Sequence, residues 1–323
     1  MELERTPIYE IFDRKQSGNQ LYIMREDLLP FSLGGNKVRI ANAFFEDMQK
    51  KGCDIMIAYG NVRSNLCRVI ANECFRKKIP CYMICSFEEG ESEEKETSNS
   101  HLMQMLKVKI VKCRKNQIAK TVEATMNRLI QEGHKPYYIY GNKFGTGNEG
   151  VSASAYAKAY QEILNFEKNQ GIFFDYIFHA SGTGATQAGL VCGKLLEKIP
   201  SERQIVGISI ARTEERGREV VKESIRDYLG EQFETLYREC DLIFTDHYRC
   251  DGYGNYSADV TQTIDRMMRE EGIPMDTTYV GKAFTGMLQY LKDNRITDQK
   301  LLFIHTGGTP LFFDRLGKEE NVE

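Results

Sequence analysis

A lysine placed directly after two glycines and an asparagine, in the run Gly34-Gly35-Asn36-Lys37, is the first place where this sequence could do chemistry. The glycines permit a tight turn with close backbone approach, and Asn36 can hydrogen-bond to a ligand or to the local backbone. Lys37 then opens a helical pattern through Val38, Ala41, Phe44 and Phe45. Sunk into a cleft, such an amine loses solvation, its pKa falls and it becomes nucleophilic. A plain glycine turn before an exposed lysine would read the same way.

Three further segments run from an apolar stretch into a turn of glycines, hydroxyls or amides. They are Arg63-Ser64-Asn65, Ser181-Gly182-Thr183-Gly184-Ala185-Thr186, and His305-Thr306-Gly307-Gly308. The first two also lead into helical patterns, and free N–H groups at a helix start attract an anion. The bland alternatives are an N-cap by Ser64, worth about 1 kcal/mol, and a simple chain reversal at 305–308. The run at 181–186 is no P-loop, because no Gly-Lys-Ser/Thr follows, and it lacks the dinucleotide-binding glycine spacing. An anion site is the better reading of its bare amides and hydroxyls. Tyr253, between two glycines, and Tyr279, before Val280-Gly281-Lys282, are candidate acid–base groups, although a lone tyrosine is more often structural.

The elements that must hold these residues alternate. Apolar runs at 21–24, 54–59, 80–85, 108–112, 136–140, 176–179, 205–211, 241–245 and 301–305 predict strands. Between them, 64–77, 118–132, 152–168, 185–196, 214–228, 258–271 and 283–293 show helical periodicity. Strands separated by helices imply an α/β fold with mostly parallel sheets, in which ligands bind beyond the strands' carboxyl ends. The chain is 323 residues long. That is too long for one simple sheet, and it predicts two interleaved three-layer α/β domains with a cleft between them.

Bulk properties exclude several classes. A net charge of -3, with no basic arm, gives no sign of nucleic acid. The acidic stretch 88–96 reads as a solvated loop or helix face. No apolar run approaches the roughly 20 residues that span a bilayer, and no secretory leader is recognisable at the start. Nine cysteines fall into neither a disulfide framework nor a zinc pattern, so no metal is expected and the location expected is cytoplasmic.

Taken in order, these motifs resemble the D-cysteine desulfhydrase/1-aminocyclopropane-1-carboxylate deaminase family of fold-type II pyridoxal phosphate enzymes, related to the tryptophan synthase β subunit. The resemblance runs from about residue 21 to 310. It implies pyridoxal 5'-phosphate as cofactor, with Lys37 as the Schiff-base lysine. Asn65 would meet the cofactor's phenolic oxygen, and Gly182, Thr183, Gly184, Ala185 and Thr186 would form the phosphate cup. Thr306 would lie near the pyridine nitrogen, and Ser64, Tyr253 and Tyr279 would assist catalysis. Asn36, Arg63, Ser64 and Asn65 would meet a small amino-acid substrate, and Gly147 and Asn148 would lead to a helix starting near Ser152. Residues 1–40 with 150–323 would make a large cofactor-binding domain, 41–149 a small substrate-side domain, and the enzyme a homodimer.

Departures from the family bear on the reaction. Val280 stands where the deaminases have a glutamate that keeps the pyridine nitrogen protonated, so the deep electron sink for ring opening is missing. With Thr306 alone, the resemblance implies that the nitrogen would stay neutral, which still supports α,β-elimination to a keto acid and ammonia. Arg63 replaces a glutamine, Leu66 often a histidine, and Ile40 a basic residue near the phosphate. Arg63 adds a positive charge for a second substrate anion, or else points to solvent. The alternatives are a β-replacement transferase, a deaminase, or a non-catalytic homologue that only binds the cofactor.

Overall fold

The computed structural model describes residues 6–11, 18–61, 63–87 and 96–319. The strands are β1 (Ile8–Ile11), β2 (Gln20–Arg25), β3 (Ile55–Gly60), β4 (Cys81–Phe87), β5 (Lys109–Arg114), β6 (Pro136–Tyr138), β7 (Tyr176–Ser181), β8 (Gln204–Ser209), β9 (Ile243–Thr245) and β10 (Lys300–His305). The helices are α1 (Asn36–Lys50), α2 (Asn65–Lys77), α3 (Ser98–Met105), α4 (Ile118–Gln131), α5 (Glu149–Gln170), α6 (Ala185–Leu195), α7 (Glu214–Leu229), α8 (Phe233–Leu236), α9 (Ala258–Glu271), α10 (Val280–Asp293) and α11 (Thr309–Glu319). The acidic stretch 88–96 lies outside the described residues except for Glu96.

Two sheets result. The larger has the order β1-β2-β10-β7-β8-β9 and is parallel except for β1, which runs antiparallel to β2. The smaller, β5-β4-β3-β6, is parallel throughout. The middle strands are apolar on both faces, as Ile177-Phe178 in β7 and Leu302-Phe303-Ile304 in β10 illustrate, because helices cover both sides of the sheet. This is the α/β architecture expected from the alternating pattern.

Two packing devices fix the helices that flank the site. Gly189 and Gly193 let α6 lie directly on α5: an added Cβ would sit 2.2 Å from the Ala153 carbonyl oxygen at the first and 2.5 Å from Tyr160 Cβ at the second. A buried ionic network then ties α1 to the end of β2 and to α5. Arg39 Nε donates to Glu26 at 2.9 Å and its Nη1 to Glu162 at 2.6 Å, while the Tyr156 hydroxyl donates to Glu26 at 3.0 Å. Removing one partner of such a network would leave a buried charge uncompensated, at a cost of about 3–5 kcal/mol. The network therefore sets the axis of α1, whose first turn carries Lys37.

Candidate active site

Lys37 is the second residue of α1, and the turn before it is built by backbone contact. Gly35 has φ +98°, and its N–H donates to the Glu26 carbonyl at 2.7 Å. The Asn36 N–H donates to the Thr306 carbonyl at 3.0 Å, and a Cβ on Gly307 would sit 2.5 Å from Gly35 Cα. The turns at 34–35 and 306–308 thus touch main chain to main chain, which only glycine allows. Lys37 is partly buried, and Nζ has no hydrogen-bond or ion-pair partner among the described residues. Desolvation pulls its amine down to about 8.

The anion-type turn lies opposite. It follows β7 and opens α6, whose N-terminus takes no side-chain cap. Gly184 has φ +93° with Val221 beneath it, 3.1 Å from where a Cβ would be. Asn36 Nδ2 donates to Thr186 Oγ1 at 3.0 Å, so the lysine turn and this turn are directly linked.

The third turn joins β3 to α2. Ser64 is the N-cap of α2, its Oγ accepting the Cys67 N–H at 3.2 Å, so the simple capping role is real. The hydroxyl nevertheless borders the cavity, next to Asn65. The Asn65 Oδ1 accepts from Asn99 Nδ2 at 2.9 Å.

Tyr253 and Tyr279 meet, hydroxyl to hydroxyl, at 2.6 Å. Burial and the neighbouring Tyr253 hold the Tyr279 phenol well above its ordinary value. Burial also raises Tyr253, but its bonds to Tyr279 and Asn61 and the charge of Arg63 pull it back. Tyr253 is the more exposed of the pair. Two buried side chains hold these tyrosines. Asp276 accepts the N–H groups of Thr278 (2.8 Å), Tyr279 (2.9 Å) and Val280 (3.0 Å), and burial pushes its carboxyl up to about 6. Lys282 Nζ donates to the carbonyls of Ile210, Arg249 and Gly252 at 3.1, 3.0 and 2.7 Å, clamping the Tyr253 loop to the end of β8.

All these turns open on one cavity of about 800 Å³. Asn36, Lys37, Arg63, Ser64, Asn65, Gly182, Thr183, Gly184, Thr186, Tyr253, Tyr279 and Thr306 line it. Ala185 stands behind the wall, buried at the first position of α6. Ile40 is core, 2% exposed, and Val280 is fully buried behind Tyr279; of the positions that depart from the family, Arg63 and Leu66 face the cavity. The lining also includes Tyr140, Ser86, Lys115 and Arg212, which no motif announced. Ser86 lies in β4, while Tyr140 and Arg212 follow the carboxyl ends of β6 and β8, where such folds place their ligands. Lys37, Arg63, Lys115 and Arg212 are cationic, and among the described residues no Asp or Glu is part of the lining. A wall of this kind suits a ligand with two or more negative charges and one electrophilic carbon. Among the described residues, no cluster could hold a metal ion and no helix is long and apolar enough to cross a membrane.

Comparison with known proteins agrees with this chemistry. The model of a family described as pyridoxal-phosphate dependent enzyme matches residues 1–307. A D-cysteine desulfhydrase of Yersinia enterocolitica is 28% identical over 92% of this chain and 88% of its own. One from Klebsiella pneumoniae is 26% identical over 92% and 89%. The crystal structure of the ACC deaminase homologue superposes with a TM-score of 0.81 at 27% identity, covering 98% of this chain and 94% of that one.

Proposed function

Because the chain belongs to the pyridoxal-phosphate dependent enzyme family, we propose that it binds this cofactor at Lys37 and catalyses α,β-elimination on a small amino acid. The products are a keto acid and ammonia, with sulfide as well where the substrate is D-cysteine, the first choice given the desulfhydrase relatives. The observation that carries the reading is the meeting, in one cavity, of a lysine lowered to about 8, a glycine turn at a helix start and a paired tyrosine.

The residues fit the cofactor. An unpaired, partly neutral amine suits its aldehyde, and the cradle under Gly184, which a Cβ would crowd, suits its phosphate. Lys37 would hold the aldehyde carbon, the 182–186 turn with Asn36 the phosphate, Asn65 the phenolic oxygen and Thr306 the ring nitrogen. When bound, the cofactor supplies an electron sink that acidifies the substrate's α-carbon.

The chain's own groups do the rest. Ser64 and Asn65 orient the substrate carboxylate, with Arg63 beside them. Lys37 would take the α-proton, a role for which an amine that is partly neutral near pH 8 is suited. Tyr253, the more exposed phenol, delivers a proton to the leaving group, and Tyr279 restores it through the shared hydrogen bond. Val280 provides no carboxylate for the ring nitrogen, which favours elimination, where departure of the leaving group drains the charge, over ring opening. In this reading residues 1–40 with 150–323 form the cofactor-binding domain and 41–149 the substrate-side domain. The enzyme works as a homodimer in the cytoplasm, a setting that suits nine free thiols.

The test is direct. Purified protein should acquire the visible absorption of bound pyridoxal phosphate, and Lys37→Ala should abolish it. A panel of D- and L-β-substituted amino acids, scored for keto acid and sulfide, should give turnover with the D-thiol substrate. Binding without any turnover would sink the elimination reading, and turnover only with an added nucleophile would make the protein a β-replacement enzyme.

A further inference from the structure

Asn99 is fully buried at the second position of α3 and touches the site through two neighbours. Its Nδ2 donates twice, to the Arg63 carbonyl at 3.0 Å and to Asn65 Oδ1 at 2.9 Å. Its Oδ1 has no partner among the described residues. Turning the Asn99 amide over would set that oxygen against the Arg63 carbonyl, so the donor orientation is fixed by the main chain of the α2 turn. A buried amide whose oxygen is left idle is retained for its two N–H groups. Arg68, also buried and without a carboxylate partner among the described residues, points a second donor at the same atom: its Nη2 lies 3.5 Å from Asn65 Oδ1 while Nη1 donates to Ser32 Oγ at 3.0 Å. The Asn65 oxygen is thus held from behind by two donors, and Nδ2 is the group its amide has left for the cavity.

We propose that Asn99, backed by Arg68, is a positioning residue that fixes the Asn65 amide with its N–H groups toward the cofactor, so that the site accepts the phenolic oxygen as a hydrogen-bond acceptor in its deprotonated form. The proposal rests on the reading above that Asn65 meets this oxygen. α3 is itself anchored: the Ser98 N–H and Oγ donate to Asp314 Oδ1 at 2.9 and 2.6 Å, and Thr97 and Ser100 form a capping box. Asn99 therefore stands on a fixed platform that reaches across to α11.

The experiment compares the affinity of cofactor-freed protein for pyridoxal phosphate and for its analogue lacking the phenolic hydroxyl, by absorbance and fluorescence titration. The wild type should prefer the natural cofactor by about tenfold or more, as expected for a hydrogen bond to a charged oxygen. Asn99→Asp, which cannot donate to Asn65, should bring the ratio to one or below. A merely structural role would weaken both ligands alike and leave the ratio intact, which overturns the proposal. Should that variant not fold, Asn65→Asp decides. If Nδ2 faces the cavity, the new carboxylate oxygen repels the phenolate and the preference is lost or reversed. If Oδ1 already faces it, the preference survives and the assignment is wrong. A wild type that binds both ligands equally removes the Asn65 premise and this proposal with it. One that binds neither overturns the cofactor reading itself.

Discussion

Lys37 in the cofactor-free protein should titrate near 8, where an exposed lysine titrates near 10.5, because desolvation acts on it and no carboxylate offsets it. At pH 7 about one molecule in eleven would then carry the neutral amine, against about one in three thousand for an ordinary lysine, a difference of about 300-fold in reactive form. A brief pulse of acetic anhydride across a pH series, with mass-spectrometric quantification of each lysine, reads this directly. Acetylation of Lys37 should rise through a midpoint near 8, well below that of an ordinary exposed lysine. The same shift bears on stability. Between about 8 and 10.5 the unfolded chain binds a proton at this position that the folded chain does not, so stability rises with pH across that window. The deficit below it is up to about 3 kcal/mol, an upper bound because the side chain is partly exposed. Lys37→Met should therefore stabilise the cofactor-free protein most at and below pH 8, with the gain fading toward pH 10.5 in denaturant titrations. A Lys37 midpoint that coincides with that of the surface lysines, or a Lys37→Met gain that does not vary with pH, would refute the desolvation argument.

Three other outcomes follow from the geometry. Tyr253→Phe should lower kcat on substrates with poor leaving groups by about a hundredfold or more, with cofactor affinity unchanged in absorbance titration and a smaller loss on β-chloroalanine; Tyr279→Phe should lose less. Gly184→Ala forces a side chain into φ +93° against Val221, which should cost about 1–2 kcal/mol in local strain and about tenfold or more in cofactor affinity, measured by equilibrium dialysis. Arg203→Met would strand Glu167, now bonded at 2.5 and 2.7 Å to that buried guanidinium; urea titration at neutral pH should show a loss of about 3–5 kcal/mol.

Much of the fold is readable because parallel strands covered on both faces leave unbroken apolar runs, as in β7 and β10. The elements that escape such a reading have physical reasons. β1 is a four-residue antiparallel edge strand with Tyr9 and Glu10 outward, so it has no apolar run. α3 is rich in Ser, Asn and Met, with little separation of polar and apolar faces; its one local signal is the Thr97/Ser100 cap. α11 begins immediately after the 306–308 turn, where Pro310 reads as a stop although proline also suits a helix's first turn. α5 starts at Glu149, three residues ahead of the position near Ser152 that its motif suggested.

The site divides in the same way. Residues in glycine- and hydroxyl-bearing turns announce themselves, because the turn chemistry is local. Arg212 sits at a strand end without a glycine turn and looks like an ordinary surface residue on its own, while Tyr140 stands before the Gly141-Asn142 turn, which points to a chain reversal and not to a ligand. Asp276 bonds to N–H groups only two to four residues on, at the start of α10, so its turn is local. Lys282 is harder still: it becomes a clamp only because carbonyls 30 or more residues away surround it, and nothing within a few residues encodes that.

The contact between the lysine turn and the Thr306–Gly307 backbone also orders events during synthesis. The smaller sheet draws all four strands from residues 55 to 138 and has its pairing partners once that stretch has left the ribosome. β2 must wait for β10, some 280 residues later, and the turn that seats Lys37 is complete only when Gly307 reaches it. A nascent chain therefore carries Lys37 as an ordinary, protonated, unreactive amine. The lowered pKa arises only when the larger sheet closes, so in a half-made polypeptide Lys37 is no more reactive toward aldehydes than any other lysine.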